Sequence, residues 1–444
     1  MTAIRPRQHV PGTGEAVVEL TTERGNDVAA LSAKVISDRA EGEAYVASVC
    51  FKHGPPRLLG VELEYTVHYA TDPRRPLDPD DLATALGPHT PRTLRSDSPA
   101  QPLPDGSPLT LEPGGQVEIS AVPQPSLGRL QQAVSADLAY LKDLLARAGF
   151  TLGHTGIDAF RPPVRVLDTK RYAAMERRFA PLGTGGVTMM CSTAGLQICV
   201  DSGERDTLEA RWAAVHALGP PLLATFANSR HHAGRDTGTA SARWLAVLAT
   251  EPCRTFATPP SPDPPGSWAS RVMDTPLMVV RRGGRWDAPP GVTFADWVER
   301  RGAVDLPGPP TFADLDYHLT TMFPGVRPRG YLEVRYLDAQ PAHRWLHPVA
   351  LLTALLHRQS TVDTVRELCE PVAGRWEQAA RCGLTDPEIA AVARKVVDLG
   401  CAELSHTGLP GGLLDEISEG VRRLVHGHAA GRPHEDGQNW REQE

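Results

Sequence analysis

Four short stretches alternate polar and apolar residues with a period of two: GVELEY at 60–65, GQVEIS at 115–120, GLQICVD at 195–201 and YLEVRYLD at 331–338. Successive side chains of a strand point to opposite faces. Extended, the first stretch places Glu62 and Glu64 on one face and Val61, Leu63 and Tyr65 on the other. The second aligns Gln116, Glu118 and Ser120, the third Gln197, Cys199 and Asp201, and the fourth Glu333 and Arg335. Each alone also fits an exposed strand whose outer face is wet. Carboxylates two residues apart stand about 7 Å from each other and repel unless solvent or a cation intervenes.

Taken together, the four stretches imply one sheet with an apolar face against helices and a polar face carrying Glu62, Glu64, Glu118, Gln197 and Glu333. Glu112 joins them across the Pro113-Gly114-Gly115 turn of LEPGGQVEIS. Many acids on one concave face require divalent cations. Hard oxygen donors without a Cys/His cluster select Mg²⁺ or Mn²⁺ over zinc. Mg²⁺ held by carboxylates commonly bridges to substrate phosphates, and Arg243 and Arg335 could complete a clamp on a transferring phosphoryl group. There is no GxxxxGK[ST] loop and no GxGxxG after a strand, so a nucleotide would be held by cations and the sheet.

Around these strands the chain alternates differently. Ser126 reads as an N-cap, and Leu127, Leu130, Val134, Leu138, Leu141 and Leu145 recur at spacings of three and four, so 127–148 is an amphipathic helix. Helices are also expected within 22–50, at 79–86, at 169–180, over 204–227 with a break at Pro220-Pro221, and from 343 onward at 343–368, 371–382, 386–401 and 411–427. Further strands are expected over 57–69, 150–158, 187–201 and 276–282, with a surface loop at 258–268. Strands in the middle and helices at the end give an α+β fold with an antiparallel sheet. The expected divisions are an N-terminal helical segment 1–54, a sheet-bearing catalytic domain 55–360, a helical part 361–427 packed on it, and a disordered tail 428–444.

Composition excludes several classes. A formal net charge of −7 argues against a bulk electrostatic grip on nucleic acid. No apolar run approaches the roughly 20 residues of a membrane span, and the first 20 residues lack a signal-peptide core, so a cytoplasmic location is expected. The 7 cysteines form no CxxC pair, which favours reduced, mostly buried thiols. His231-His232 are adjacent and point apart, so they make a poor metal pair; Ser192 and Ser202 lack a nucleophile elbow.

In order along the chain, GVELEY, LEPGGQVEIS, MMCSTAGLQICVD, FANSRHHAGRDTGTASARW and GYLEVRYLD resemble the glutamate–cysteine ligase family of the plant and proteobacterial branch, closest to its actinobacterial members of ergothioneine biosynthesis. The resemblance spans roughly residues 55–360, with LEPGGQVEIS its most specific motif. It implies a glutamine-synthetase-like curved antiparallel sheet forming an active-site funnel. It implies ATP as co-substrate, two or three Mg²⁺ per site, L-glutamate and L-cysteine, with γ-glutamylcysteine, ADP and phosphate formed through a γ-glutamyl phosphate. By resemblance Glu64, Glu112 and Glu118 hold one cation, Glu62, Gln197 and Glu333 another, and Arg243 and Arg335 steady the phosphoryl group. Gln116, Arg171, Tyr172 and Cys199 belong to the substrate side, and a monomer or weak dimer is implied. Relatives often carry Asn at the position of Cys199, and some carry His at that of Gln197. A carboxylate–amine ligase with another acceptor, and a non-catalytic sensor of ATP or amino acids, stand as alternatives.

Overall fold

The computed structural model describes residues 32–258, 260–301 and 306–427. Among the described residues, ten strands are β1 (Leu59–Tyr65), β2 (Val67–Tyr69), β3 (Leu109–Leu111), β4 (Val117–Ser120), β5 (Phe150–Leu152), β6 (Gly195–Val200), β7 (His231–His232), β8 (Arg235–Asp236), β9 (Val326–Pro328) and β10 (Leu332–Asp338). Six of them form one sheet in the order β3-β4-β1-β6-β10-β9. Every pairing in it is antiparallel. All four alternating stretches thus enter one sheet, as their shared pattern predicts.

The apolar face is dry. Val61, Leu63, Val117, Ile119, Ile198, Leu332 and Val334 are buried, each contributing about 1.5–3 kcal/mol by leaving water. The helix Leu127–Arg147 packs beneath β1, capped by the Ser126 hydroxyl, which accepts the Arg129 N–H at 3.3 Å. Its buried residues include the six read from the sequence, together with Asp137. That acid accepts the backbone N–H groups of Asp105 (2.7 Å) and Ser107 (3.2 Å) and ties the connection ahead of β3 to the helix. One continuous apolar core runs from Ile36 to Val425. The C-terminal helices Leu346–Leu355, Gln359–Cys369, Trp376–Cys382, Pro387–Glu403 and Gly411–Gly427 supply much of it. Among the described residues no helix is long and apolar enough to cross a membrane. No cysteine is disulfide-bonded, and Cys50, Cys191, Cys199 and Cys369 are buried.

Several expectations are corrected. Residues 187–201 are not one strand: Gly185–Cys191 is helical and the ladder starts at Gly195. VTMMC is a short apolar run, whose period cannot separate a buried helix turn from a strand. Residues 276–282 make only isolated bridges, Pro276 to Thr293 and Val279 to Asp287. Leu277, Met278, Val279 and Val280 are buried in succession, so burial, without a ladder, explains the run. The break in 204–227 falls at Leu218, and Pro220 and Pro221 sit in the first turn of the helix Gly219–Thr225, where proline costs no hydrogen bond. The 258–268 loop gives way to a helix at Pro264, capped by Asp263, for the same reason. The 57–69 strand is interrupted at Thr66, after which β2 leaves the main sheet to pair with β5. The strand expected over 150–158 ends at Leu152, and 343–368 is two helices. Within 22–50 the described helix is Arg39–Cys50; Val28 and Leu31, like 1–20 and the tail 428–444, lie outside the described residues.

Candidate active site

The register of the sheet brings the acids together. Glu64 on β1 lies directly opposite Glu118 on β4. Glu112 arrives from the turn between β3 and β4, which is closed by hydrogen bonds from the Glu112 N–H to the Gln116 carbonyl and from the Gly115 N–H to the Glu112 carbonyl, both 2.9 Å. Gly115 takes φ +85° there, a conformation that costs other residues energy. A Cβ on Gly114 would lie 2.1 Å from the Cys191 carbonyl oxygen, so the turn lies flush against the end of the helix Gly185–Cys191. The Gln116 amide, itself buried, fastens this contact by donating to the Thr193 carbonyl at 2.8 Å.

As a result, one carboxylate oxygen from each of Glu64, Glu112 and Glu118 lies within 4.8 Å of the others. Glu64 accepts from the Gly195 N–H and the Gln197 amide, both at 2.6 Å. Glu118 accepts from the hydroxyls of Thr110 (2.8 Å) and Ser120 (2.7 Å). Among the described residues none of the three forms an ion pair; the ion pairs of Arg243 and Arg335 go to Asp338 and Glu333. Burial, then Glu118 and Glu64, push the Glu112 carboxyl well above its ordinary range. Burial and Glu64 raise that of Glu118.

Across the sheet the arrangement is different. Glu333 is fully buried. It takes Arg327 Nε at 2.6 Å, Arg335 Nη1 at 3.0 Å and Arg329 Nη1 at 3.5 Å. Burial alone would raise its carboxyl, but the charges of Arg327, Arg335 and Arg329 hold it far below the usual carboxylate range. Cys199 stands opposite Glu333 in register, and Glu62, Cys199 and Glu333 also bring one donor atom each within 4.8 Å of the others. Glu62 is pushed up by burial, Glu118 and Glu333, and the Cys199 thiol by burial, Glu62 and Glu333. Gln197 joins the two halves: its amide donates to Glu64 and its carbonyl oxygen accepts from Arg335.

Over the acid-bearing face lies a funnel of about 890 Å³, counting the space open to solvent at its mouth. Glu62, Glu64, Glu112, Glu118, Arg171, Tyr172, Gln197, Arg243 and Arg335 line it, whereas Gln116, Cys199 and Glu333 do not. Arg171 and Tyr172 project from the helix Lys170–Phe179, and Arg171 donates to the Thr320 hydroxyl (2.8 Å) and carbonyl (2.9 Å). Arg243 belongs to the helix Ala242–Leu248; its Nη2 donates to the Arg335 carbonyl at 2.9 Å, while its buried Nε and Nη1 find no hydrogen-bond partner. Sequence reasoning missed the apolar wall of Met175, Met189, Met190, Trp244 and Phe323, and the basic lining residue Arg327. The arginine had a signal: VRPRG at 326–330 alternates arginines immediately before YLEVR. The methionines lie on helices whose inner faces no local pattern distinguishes from core.

A family model described as glutamate-cysteine ligase family 2 matches residues 58–437. The chain belongs to that family. It is 36% identical over 383 residues to the glutamate–cysteine ligase EgtA of Mycolicibacterium smegmatis, covering 85% of this chain and 86% of the relative. The EgtA of Mycobacterium tuberculosis (strain CDC 1551 / Oshkosh) is 35% identical over 397 residues, covering 87% and 89%. The chloroplastic glutamate–cysteine ligase of Nicotiana tabacum is similar at 29% over 336 residues, covering 71% of this chain and 64% of that one. Family membership thus agrees with the resemblance carried by LEPGGQVEIS and YLEVR.

Proposed function

We propose that this member of the family joins the γ-carboxylate of L-glutamate to the amine of L-cysteine at the expense of ATP, releasing ADP and phosphate. The observation that carries the site assignment is the triad Glu64, Glu112 and Glu118: three acids gathered within 4.8 Å on the floor of a funnel, without a cationic partner among the described residues. All-carboxylate donors suit Mg²⁺ or Mn²⁺, so the triad would hold one such ion. Glu62, Gln197 and Glu333 would hold a second on the nucleotide side. A bound divalent ion supplies charge neutralisation for the phosphates of ATP and for the transferring phosphoryl group.

The chain's own residues do the rest. Arg243, with its Nε and Nη1 unpartnered, and Arg335, which stands between Gln197 and Glu333, both line the funnel and would meet developing negative charge there. Phosphorylation converts the γ-carboxylate into an acyl phosphate, a good leaving group. Attack by the amine then forms the amide bond and expels phosphate. Holding both substrates in one funnel makes that attack effectively intramolecular. Arg171 and Tyr172 on the opposite wall position the amino-acid substrates. The resemblance and the EgtA relatives support ergothioneine biosynthesis as the use of the product.

The test is an ADP-release assay with L-glutamate, Mg²⁺ and a panel of amines. ADP formation should depend on glutamate and be fastest with L-cysteine. A faster reaction with another amine reassigns the acceptor. Binding of ATP without turnover on any acceptor overturns the enzyme reading.

A further inference from the structure

We infer that Asp338 is the positioning residue for Arg243, an inference that rests on the phosphoryl-binding role just proposed for that arginine. Asp338 lies at the end of β10, fully buried, opposite Gly195 on β6. Strict alternation from Leu332, Val334 and Tyr336 would put it on the apolar face. A register shift between Val334 and Leu337 reverses the parity and brings its carboxylate to the side of the acids.

There it organises the base of the helix carrying Arg243. Its Oδ2 accepts from the Ser229 hydroxyl (2.7 Å) and the Asn228 N–H (2.8 Å), and its Oδ1 accepts from the Ser241 hydroxyl (2.9 Å). Ser229 Oγ in turn accepts the Arg243 backbone N–H at 3.1 Å, and Ser241 Oγ caps the helix through the Trp244 N–H at 3.1 Å. Asp338 Oδ1 also stands 3.9 Å from Arg243 Nη1. The guanidinium passes over Gly195, where a Cβ would lie 2.2 Å from Nη2. Backbone, guanidinium and the glycine it crosses are therefore all fixed around one carboxylate. A buried guanidinium needs a nearby negative charge to remain cationic. Asp338 supplies it 3.9 Å from Nη1, beyond hydrogen-bond distance, so that Nε and Nη1 keep no hydrogen-bond partner. Those donors stay available to an anionic group entering the funnel.

The experiment compares four proteins at matched folded fraction: the parent, Asp338→Asn, Arg243→Lys and the double variant. Formation of γ-glutamylcysteine should fall tenfold to a hundredfold in kcat for Asp338→Asn, with KM for L-cysteine within twofold of the parent. The double variant should be no slower than Arg243→Lys within twofold, because the two residues act as one unit. A kcat for Asp338→Asn within twofold of the parent overturns the inference, as does a multiplicative loss in the double variant. If Asp338→Asn does not fold, Ser229→Ala replaces it, since that hydroxyl links Asp338 to the Arg243 N–H; the same kcat loss, absent in the Arg243→Lys background, is expected. A parent that makes no γ-glutamylcysteine refutes the functional reading instead. The same proteins are then compared by calorimetric affinity for ATP with Mg²⁺: parallel losses in Asp338→Asn and Arg243→Lys support the positioning role, and parent-like affinity in Asp338→Asn alone overturns it.

Discussion

The two acid clusters of the sheet are built from the same residue type and solve the same electrostatic problem differently. On the β4–β1 side, Glu64, Glu112 and Glu118 converge with hydroxyl, amide and backbone donors but no ion pair among the described residues. On the β10–β9 side, Glu333 is surrounded by Arg327, Arg329 and Arg335. On the reading proposed above, the first cluster costs folding free energy until a cation arrives. The second is already compensated, and its arginines hold the acid ionised. The fold thus leaves one cluster without a cationic side chain and gives the other three.

The sharpest way to break this comparison is to neutralise one acid on each side. Glu118→Gln should lower γ-glutamylcysteine formation about a thousandfold, since it removes a charge from the proposed cation site and from transition-state stabilisation. It should at the same time raise the melting temperature of the cation-free protein, because one of three mutually repelling acids is gone. An active Glu118→Gln, or one less stable than the parent, would contradict the reading of the first cluster.

Glu333→Ala should behave in the opposite manner. It leaves the buried Arg327 guanidinium without its 2.6 Å partner. Breaking one side of a buried pair costs about 3–5 kcal/mol. Urea titration should show that loss with or without Mg²⁺. A variant as stable as the parent would mean that the arginines are not held by Glu333.

Much of this contrast could be read in the sequence, and the unread part has a physical cause. Alternation located Glu62, Glu64, Glu118 and Glu333, because parity along a strand is local, and the turn of LEPGGQVEIS added Glu112. It could not tell that Glu333 was compensated, since Arg327 reaches it from the neighbouring strand β9, which no pattern identified. It gave no place to Asp338, whose face depends on a bulge. Gln116 has the parity of Glu118 but lies just ahead of β4, and its amide donates to the Thr193 carbonyl, 77 residues distant in sequence. The strand and helix in 187–201 could not be separated, because buried apolar runs lose their period.

Cation titration sharpens the comparison on a smaller scale. Mg²⁺ should stabilise the parent by about 2.7 kcal/mol at a concentration a hundredfold above its Kd. Glu112→Gln should abolish most of that gain, read as a shift of melting temperature with added Mg²⁺. An unchanged shift in Glu112→Gln would remove the turn acid from the cation site.

The smallest effect is on pH dependence, and its sign differs between the halves. The carboxyls of Glu112 and Glu118 are raised above their ordinary 4.5, so the folded chain binds more protons there than the unfolded chain does. Stability from these groups is complete below about pH 4.5 and declines as pH rises through their raised values. Glu333 is depressed, so its contribution is present above the ordinary carboxylate range and is lost only in strong acid. Between about pH 5.5 and 8, Glu333 therefore stays constant while the Glu112–Glu118 side grows less favourable. Without divalent cation, the parent should lose stability over that interval relative to Glu118→Gln, which lacks one titrating acid. Saturating Mg²⁺ should shrink the difference, because cation binding favours the deprotonated acids. Parallel melting curves for parent and Glu118→Gln at both pH values would show that the acids share no strain, and the contrast between the two halves would rest on Glu333 alone.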